Sequence, residues 1–240
     1  MLKKRIIATL LFRDGVLVRT KKFVPDYFYT KEHINTSDCD EICCIRVGGS
    51  WGDFFDAVNH VCDESMMPVS VGGGIESISD IGTIFRETVA DKVVLESHFA
   101  SLTPAAQQKF GTQSIVAGVT EGRFVSFDDL RHAGEIFVQS IERDGSLRGY
   151  PIEWGKRFLE YGIPVIIGSG CEGYRSMLQG FRAGFDACAT SNIHHFSRFG
   201  MKNIRDRLVR EGISLRDGNE VQGLSYDGHP TEDYVQGRGL

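Results

Sequence analysis

The sequence predicts a (β/α)₈ barrel, or TIM barrel, made of two similar half-barrels. Eight short apolar runs alternate with helical patterns along the chain. The runs are apolar throughout, which is typical of strands that are covered on both faces in a parallel sheet. Part of the pattern recurs roughly 95 positions later. A duplicated unit of four strands favours closure into an eight-stranded barrel over an open doubly wound sheet.

The apolar runs give the expected strands, which are residues 5–11, 42–47, 68–71, 92–95, 114–119, 135–141, 164–167 and 187–190. The helical patterns are residues 51–62, 79–88, 104–110, 152–161, 174–183 and 201–211. The repeat is clearest where residues 67–74 match residues 163–170, and an acidic residue, Asp91 or Asp186, then opens the next strand. We expect the barrel to span residues 1–215 and the polar segment 216–240 to form a tail outside the core.

Composition argues against several classes of function. The chain has 240 residues and a formal net charge of −5, whereas proteins that bind nucleic acid need a basic face. No apolar run is long enough to cross a bilayer, and the N-terminal segment is typical of a first strand rather than a signal peptide. The six cysteines form no CxxC pair. We therefore expect no metal site, disulfide framework or cofactor, and the pattern favours a reducing cytoplasm.

Glycine-rich turns follow several strands, at the end of the barrel where such folds carry their active sites. Glycine lets backbone N–H groups approach an anion closely, and a helix that starts behind the turn adds a favourable dipole. Two turns related by the repeat predict phosphate sites on opposite rims of the mouth, and hence a phosphorylated small-molecule substrate. The residues expected to bind phosphate are Gly73, Gly74, Ser97, Gly145, Gly170, Ser191 and Asn192.

Several motifs, taken in order, resemble the cyclase subunit of imidazole glycerol phosphate synthase, the HisF family. They include Val71-Gly-Gly-Gly-Ile75, Ala90-Asp-Lys-Val93, Gly149-Tyr150 and, most tellingly, Ser140-Ile-Glu-Arg-Asp-Gly145. The match extends to about Leu215. The resemblance implies that a glutaminase subunit docks where the strands begin, forming a heterodimer. It also implies that ammonia travels through the barrel to the active site.

The entrance to the barrel in that family carries a ring of four charges. The resemblance assigns this ring to Arg5, Glu41, Lys92 and Glu135, each of which opens a strand. A ring of alternating charges closes a pore with salt bridges that can rearrange. Asp91 matches an acidic residue that pairs with the glutaminase, so the resemblance places it at the partner interface.

The expected active site departs from the family at four positions. The family's general acid and base are two aspartates, and these positions are Leu11 and Thr120 here. Leucine cannot transfer a proton, and threonine is a poor base at neutral pH. Arg46 stands where the family has a third aspartate, and Glu96 stands where it has an asparagine near the first phosphate. A carboxylate at that place repels a phosphate, so the second half is the better preserved anion site.

Two residues that match the family remain as candidates for catalytic roles. Asp144 is in place in the second half, and Arg19 matches the basic residue of the mobile loop after the first strand. The chain lacks most of the first helix, between residues 23 and 40, and the family's hairpin between residues 121 and 132. Cyclisation to imidazole glycerol phosphate is therefore not expected.

Three functional hypotheses follow. The segments Leu10-Leu11 and Lys22-Phe23 resemble a branch of the family that works with a glutaminase and an amidotransferase to make acetamidino groups on surface-polysaccharide sugars. The first hypothesis is a subunit that delivers ammonia to a phosphorylated or nucleotide-sugar substrate in such a modification. The second is a cyclase of histidine biosynthesis that uses replacement groups such as Glu121, Asp144 or Glu96. The third is a non-catalytic barrel that acts as a scaffold.

Overall fold

The computed structural model describes residues 3–28, 36, 38–63, 65–195 and 200–216. Its strands are β1 Arg5–Arg13, β2 Val16–Lys21, β3 Val24–Phe28, β4 Glu41–Gly48, β5 Val69–Gly72, β6 Lys92–Leu95, β7 Ile115–Thr120, β8 Glu135–Gln139, β9 Val165–Ile167 and β10 Ala187–Thr190. Strands β1 and β4 to β10 are parallel neighbours in that order, and β10 pairs with β1 to close a barrel. The predicted fold class is confirmed.

Seven α-helices lie in the part of the chain that is described. They are α1 Trp51–Cys62, α2 Ile78–Glu87, α3 Phe99–Phe110, α4 Phe127–Leu130, α5 Ile152–Gly155, α6 Tyr174–Arg182 and α7 Met201–Arg210. Helices α1, α2, α6 and α7 lie within one residue of their expected bounds. The pattern at 152–161 is a short α-helix, α5, which continues as a 3₁₀ helix over Lys156–Tyr161.

Two helices differ from the sequence expectation. Proline favours the first turn of a helix, so Pro104 suggested the start of α3. The helix instead begins at Phe99, because Phe99 and Leu102 pack against the core. Helix α4 was not predicted, although Ser126 and Asp129 form a capping box at its start. That spacing is a recognised sequence signal for a helix N-terminus.

A hairpin of β2 and β3 extends the sheet from β1, where the family resemblance implied a mobile loop. Asp14 and Gly15 join β1 to β2 with φ of 51° and 71°, and an Asp-Gly pair before alternating apolar residues is a strong hairpin signal. Lys22 and Phe23, with φ of 56° and 58°, form the tip of the hairpin. The tip lies on the barrel mouth, since Lys22 N donates to the Asp144 carbonyl oxygen at 3.2 Å.

The strands separate two apolar clusters. The larger cluster includes Ile6 and Leu10 of β1 together with buried residues of the helices. The smaller one fills the barrel interior and includes Ile7, Val94 and Phe137. Successive side chains of a strand point to opposite faces, which explains why neighbours on β1 belong to different clusters.

The duplication is visible where strands begin. Asp91 Oδ2 accepts a hydrogen bond from Val69 N at 2.8 Å, and Asp186 Oδ2 accepts one from Val165 N at 2.9 Å. A backbone N–H at a partly buried strand start needs an acceptor. Each acidic residue therefore secures the neighbouring strand in the same way in the two halves.

The described chain ends beside the barrel base. Arg216 N donates to the Lys4 carbonyl oxygen at 2.7 Å, and Leu215 forms a parallel bridge with Lys4. The rest of the predicted tail lies outside the described residues. None of the described helices combines the length and the apolar character that crossing a bilayer requires.

Candidate functional site

Four charged side chains form a closed ring of ion pairs at the base of the barrel, where the strands begin. Arg5 Nη1 lies 2.6 Å from Glu41 Oε1 and 2.7 Å from Glu135 Oε1. Lys92 Nζ lies 3.2 Å from Glu41 Oε2 and 3.2 Å from Glu135 Oε2. Each cation thus contacts both glutamates. The structure brings together all four residues that the resemblance assigns to the entrance.

This ring is largely shielded from solvent. The side chains of Arg5, Glu41 and Glu135 are 8%, 5% and 11% exposed, and that of Lys92 is 17% exposed. Burial alone would raise the pKa of Glu41, but Arg5 and Lys92 outweigh burial and hold the pKa below its ordinary value. Burial would also lower the pKa of Arg5, and the two glutamates reverse that effect and raise it. Glu41 and Arg5 therefore stay ionised at neutral pH.

Above the ring, the barrel interior becomes apolar. The next inward side chains of the same four strands are buried, and they are Ile7, Cys43, Val94 and Phe137. Burial raises the pKa of the Cys43 thiol to about 12, so the thiol is neutral. Further along β1, Thr9 Oγ1 is buried and has no hydrogen-bond partner among the described residues. An ion would lose its hydration in this layer, whereas a small neutral molecule would not carry that cost.

The two glycine turns at the barrel mouth have positive φ angles at corresponding positions. In the first half, Gly73 and Gly74 have φ of 97° and 75°, and in the second half, Ser169 and Gly170 have φ of 68° and 82°. Turns of this kind can direct successive N–H groups into one concavity, which suits an anion. The structural equivalence follows the sequence repeat.

The second-half turn borders a small cleft of about 40 Å³. Gly145, Gly170, Ser191 and Asn192, all predicted to bind phosphate, line this cleft. Ser191 Oγ and Asn192 Oδ1 are buried without hydrogen-bond partners in the described part of the chain. The hairpin tip covers the cleft, because Asn192 Nδ2 donates to the Thr20 carbonyl oxygen at 3.2 Å. The same carbonyl occupies the space that a Cβ on Gly145 would need.

Asp144, predicted to be catalytic, is bound to this hairpin. Its Oδ2 accepts a hydrogen bond from Thr20 Oγ1 at 2.5 Å and another from Phe23 N at 2.8 Å. Burial raises the pKa of the Asp144 carboxyl, although both hydrogen bonds act in the opposite direction. Asp144 therefore fixes the hairpin to the barrel mouth, and its catalytic role stays a prediction.

Arg19, the other residue predicted to be catalytic, lies on β2. It pairs with Asp26 of β3, with Arg19 Nε 3.1 Å from Asp26 Oδ1, and its guanidinium lies 5.6 Å from the centroid of the Tyr27 ring. These contacts hold it along the hairpin, and it does not line the second-half cleft. Its role in chemistry also stays a prediction.

The positions of the two absent aspartates have different surroundings. Leu11 lines the second-half cleft and is 1% exposed. Thr120 Oγ1 donates to Glu96 Oε1 at 2.7 Å, and Arg123 Nη1 lies 3.9 Å from the same oxygen. A carboxylate therefore lies beside one of the two positions, although it comes from the neighbouring strand.

Arg46 lies against the first-half turn. Its Nη2 occupies the space that a Cβ on Gly74 would need, and its Nη1 donates to the Gly49 carbonyl oxygen at 2.7 Å. The guanidinium carbon lies 4.1 Å from the centroid of the Trp51 ring. Burial lowers the pKa of Arg46, which nevertheless remains a cation at neutral pH because free arginine ionises so strongly.

A second cleft, of about 210 Å³, opens on the first-half rim. Arg46, Glu96 and the two glycines of the turn line it, and Phe23 and Gln139 line both clefts. Sequence reasoning missed Phe23 and Gln139. The Asp-Gly turn could have pointed to the hairpin that carries Phe23, whereas Gln139 belongs to no motif.

Two further residues from the sequence analysis lie away from the clefts. Ser97 is exposed just beyond the end of β6. Asp91 is exposed at the end of the barrel that carries the ring, and one of its carboxylate oxygens is already bonded to Val69 N. Within the described residues, no group of three or more His, Cys, Asp or Glu is arranged to hold a metal ion.

The fold and the site together define a class of protein, a (β/α)₈ barrel of two half-barrels with a charged ring at its base and paired glycine turns at its mouth. The family model described as "Histidine biosynthesis protein" matches residues 5–129, just over half of the chain. The chain therefore belongs to this histidine biosynthesis protein family, and within it the chain is a divergent member of the HisF group.

Two relatives match almost the full chain. The chain is 29% identical over 246 residues to the imidazole glycerol phosphate synthase subunit HisF of Campylobacter concisus, which covers 89% of this chain and 98% of the relative. It is 28% identical over 249 residues to the putative imidazole glycerol phosphate synthase subunit hisF2 of Campylobacter jejuni, which covers 90% of this chain and 99% of the relative. The likeness thus extends well beyond the segment that the family model matches.

Proposed function

We propose that this chain is a HisF-like synthase subunit that receives ammonia from a glutaminase and delivers it to an acceptor at the barrel mouth. The observation that carries this proposal is the closed ring of Arg5, Glu41, Lys92 and Glu135. A protein often stays as stable when a buried ion pair is replaced by well-packed apolar side chains. The stability of the fold is therefore a weak reason to keep four charges around a barrel axis. An entrance that opens and closes is a stronger reason.

The barrel interior suits neutral ammonia rather than ammonium. The ring carries two positive and two negative charges, so the charge barrier to ammonium comes from the apolar layer above it, where Ile7 and Val94 would strip its hydration. Neutral ammonia does not carry that cost. The buried hydroxyl of Thr9 offers ammonia a hydrogen bond between this layer and the mouth.

Lys92 is the ring member best suited to move. Its contacts with the glutamates are 3.2 Å long, against 2.6 and 2.7 Å for Arg5, and it is the most exposed of the four. An ammonium on a flexible stem reorients more easily than the rigid fork of a guanidinium. If Lys92 swings away, Arg5 still holds both glutamates, and one side of the ring opens.

The acceptor proposed for this ammonia is a phosphorylated or nucleotide sugar rather than the precursor of an imidazole ring. Leu11 and Thr120 remove the acid and base that cyclisation needs in the family. The likeness of Leu10-Leu11 and Lys22-Phe23 to the acetamidino branch supports polysaccharide sugar modification. In this proposal, the glutaminase docks at the base near Asp91, and a glycine turn at the mouth holds the anionic part of the acceptor.

A second candidate, cyclisation in histidine biosynthesis, is favoured by one contact. Glu96 lies 2.7 Å from the Thr120 hydroxyl and brings a carboxylate next to one of the lost aspartates. Complementation of a histidine auxotroph that lacks the cyclase decides this point. Growth would support the second candidate, and we expect no growth.

The first candidate is tested by co-purification. Lysates that each contain one class I glutaminase of the same organism are passed over the immobilised, tagged chain. Any complex that is retained is then incubated with amide-¹⁵N-labelled glutamine and a sugar-nucleotide extract. We expect a stable heterodimer and ¹⁵N in a sugar product by mass spectrometry. Asp91→Asn should weaken the complex but keep the Val69 hydrogen bond, whereas Asp186→Asn, its repeat equivalent, should not. The absence of any complex would overturn the proposal.

A further inference from the structure

The barrel mouth offers two places of unequal size for a ligand. The second-half cleft measures about 40 Å³ and the first-half cleft about 210 Å³. The larger cleft has room for a charged group of a substrate.

The second-half cleft also has the wrong neighbours for an anion. The hairpin tip presents the Thr20 carbonyl oxygen to Gly145 and Asn192. The Asp144 carboxylate lines the same cleft and holds the hairpin through Thr20 and Phe23. An oxyanion there would be repelled by a carboxylate and a carbonyl oxygen. The unpartnered Ser191 hydroxyl is a neutral donor, and no cation of the described residues lines the cleft to offset the repulsion.

The first-half cleft, by contrast, contains a cation, Arg46, that has an unused hydrogen-bond donor. Burial lowers the pKa of Arg46 and Glu76 lies near enough to raise it by favouring the charged form, but the two residues make no salt bridge within 4 Å. The Nε of Arg46 is buried without a hydrogen-bond partner among the described residues. Stacking on Trp51 and the bond to the Gly49 carbonyl fix the guanidinium beside Gly74. A planar guanidinium held in place can bind an oxyanion through two parallel hydrogen bonds.

The carboxylate of this cleft does not cancel that cation. Glu96 Oε1 accepts from Thr120 Oγ1, and Arg123 lies 3.9 Å from the same atom. Its charge is therefore partly compensated from the side of β7. Arg46 and Glu96 are the two charged residues that line the cleft. The cleft therefore presents one positive and one negative side chain to a ligand.

We propose that Arg46 and the Gly73–Gly74 turn hold one oxyanion of the acceptor, a phosphate or a carboxylate, while Glu96 accepts a hydrogen bond from a hydroxyl or amino group of the same molecule. The inference rests on the proposed function in treating this ligand as the ammonia acceptor. It deepens that function by naming an acceptor with one anionic group on the first-half rim, rather than a bisphosphate stretched across the mouth.

Calorimetry with simple sugars tests the proposal on the isolated chain. Glucose 6-phosphate and glucuronate carry the two candidate anions, glucose carries neither, and fructose 1,6-bisphosphate carries two phosphates. We expect at least one of the two sugars with a single anionic group to bind while glucose does not, and the better ligand shows which anion is used. No binding of either up to about 10 mM, or a bisphosphate that binds more than about tenfold tighter, would overturn the proposal.

Matched variants identify the residue responsible. Arg46→Gln should weaken binding of the anionic sugar by about tenfold or more, since a charge-assisted pair is lost. Glu96→Gln should weaken it less, because an amide oxygen still accepts a hydrogen bond. Arg143 lies beside Gly170 on the opposite rim, where its Nη1 donates to the Gly149 carbonyl oxygen. Arg143→Gln should therefore leave the affinity unchanged. Equal affinities for the wild type and Arg46→Gln contradict the proposal.

Amide chemical shifts report the position of the ligand independently of affinity. Addition of the binding sugar should shift the ¹⁵N–¹H signals of Gly73 and Gly74, and those of Gly145 and Gly170 should stay in place. If only the amide signals of Gly145 and Gly170 shift, the ligand lies on the second-half rim and the inference is contradicted. These experiments contain neither glutaminase nor glutamine, so their failure is distinct from a failure of ammonia transfer.

Discussion

Asp144 and Thr20 lie 124 positions apart in the chain, yet their side chains share a 2.5 Å hydrogen bond at the barrel mouth. The same carboxylate oxygen accepts a second bond from Phe23 N. A residue that looks like a catalytic acid in the sequence thus fixes the hairpin over the second-half cleft. Substitutions of Asp144 can show whether it only holds the hairpin in place or also transfers a proton.

Replacing Asp144 tests that distinction. Asp144→Ala removes the acceptor for two hydrogen bonds and should cost about 2–3 kcal/mol of unfolding free energy, with faster proteolysis of the hairpin. Asp144→Asn keeps an acceptor of the same shape and removes a buried charge, so the hairpin should stay protected. Denaturant unfolding and limited proteolysis make the comparison. An Asn variant that loses all transfer activity while the hairpin stays protected would instead support a catalytic role.

The ring at the base should make stability depend on acid. The pKa of Glu41 is lower in the folded chain than in the unfolded one. Its contribution is therefore fully present above the ordinary glutamate pKa of about 4.3 and is lost as pH falls through the lower, folded value. Glu41→Gln should cost about 3–5 kcal/mol at neutral pH because it leaves buried cations underpaired.

The same variant should flatten the acid dependence of the melting temperature. Calorimetric melting of both proteins between about pH 6 and 3 gives the comparison. Glu160→Gln serves as the control, because Glu160 is a glutamate that makes none of the ring contacts. If the melting temperature of Glu41→Gln falls with pH as steeply as that of the wild type, the charge-paired ring is contradicted.

Removing Lys92, the ring member that we propose to move, should uncouple the two activities of the complex. Lys92→Ala leaves Arg5 to hold both glutamates, so the barrel should still fold. The glutaminase should then release more ammonia per product formed, because the entrance no longer responds to docking. Lys4→Ala, which removes a basal lysine paired with Asp186 outside the ring, is the control. Product per glutamine hydrolysed should fall for Lys92→Ala alone.

Restoring the two family aspartates should not restore cyclisation. Leu11 is almost fully buried at the edge of the small cleft, so a carboxylate placed there by Leu11→Asp would have a raised pKa. The hairpin tip also occupies the second-half rim. We expect the double variant Leu11→Asp, Thr120→Asp to form no imidazole glycerol phosphate from its precursor and ammonium, as followed by chromatography. Measurable product would show that the remodelled mouth still accepts the histidine-pathway substrate.

The architecture was largely predictable because its signals are strong and local. Buried parallel strands are apolar throughout, and the repeat places Asp91 and Asp186 in the same role in both halves. The predicted elements were wrong where two local signals pointed to different structures. Pro104 suggested a helix start, but Phe99 and Leu102 extended α3 toward the core. The Asp14-Gly15 turn signalled a hairpin in a segment expected to be a loop.

The site was less predictable because its contacts join distant parts of the chain. No spacing rule shows that Asp144 bonds to Thr20, or that Glu96 bonds to Thr120 on the next strand. The family pattern marked Arg46 only as a departure. Its position against Gly74 and Trp51 depends on side-chain packing, which the sequence does not encode in any motif.

The most direct test of ammonia delivery is an isotope competition. The purified heterodimer is given amide-¹⁵N-labelled glutamine in the presence of an excess of unlabelled ammonium, and the ¹⁵N content of the product is measured by mass spectrometry. A conduit through the barrel predicts product nitrogen that comes almost entirely from glutamine, and a shift toward the unlabelled pool for Lys92→Ala. Product whose isotope content matches the bulk ammonium in the wild type would contradict the account.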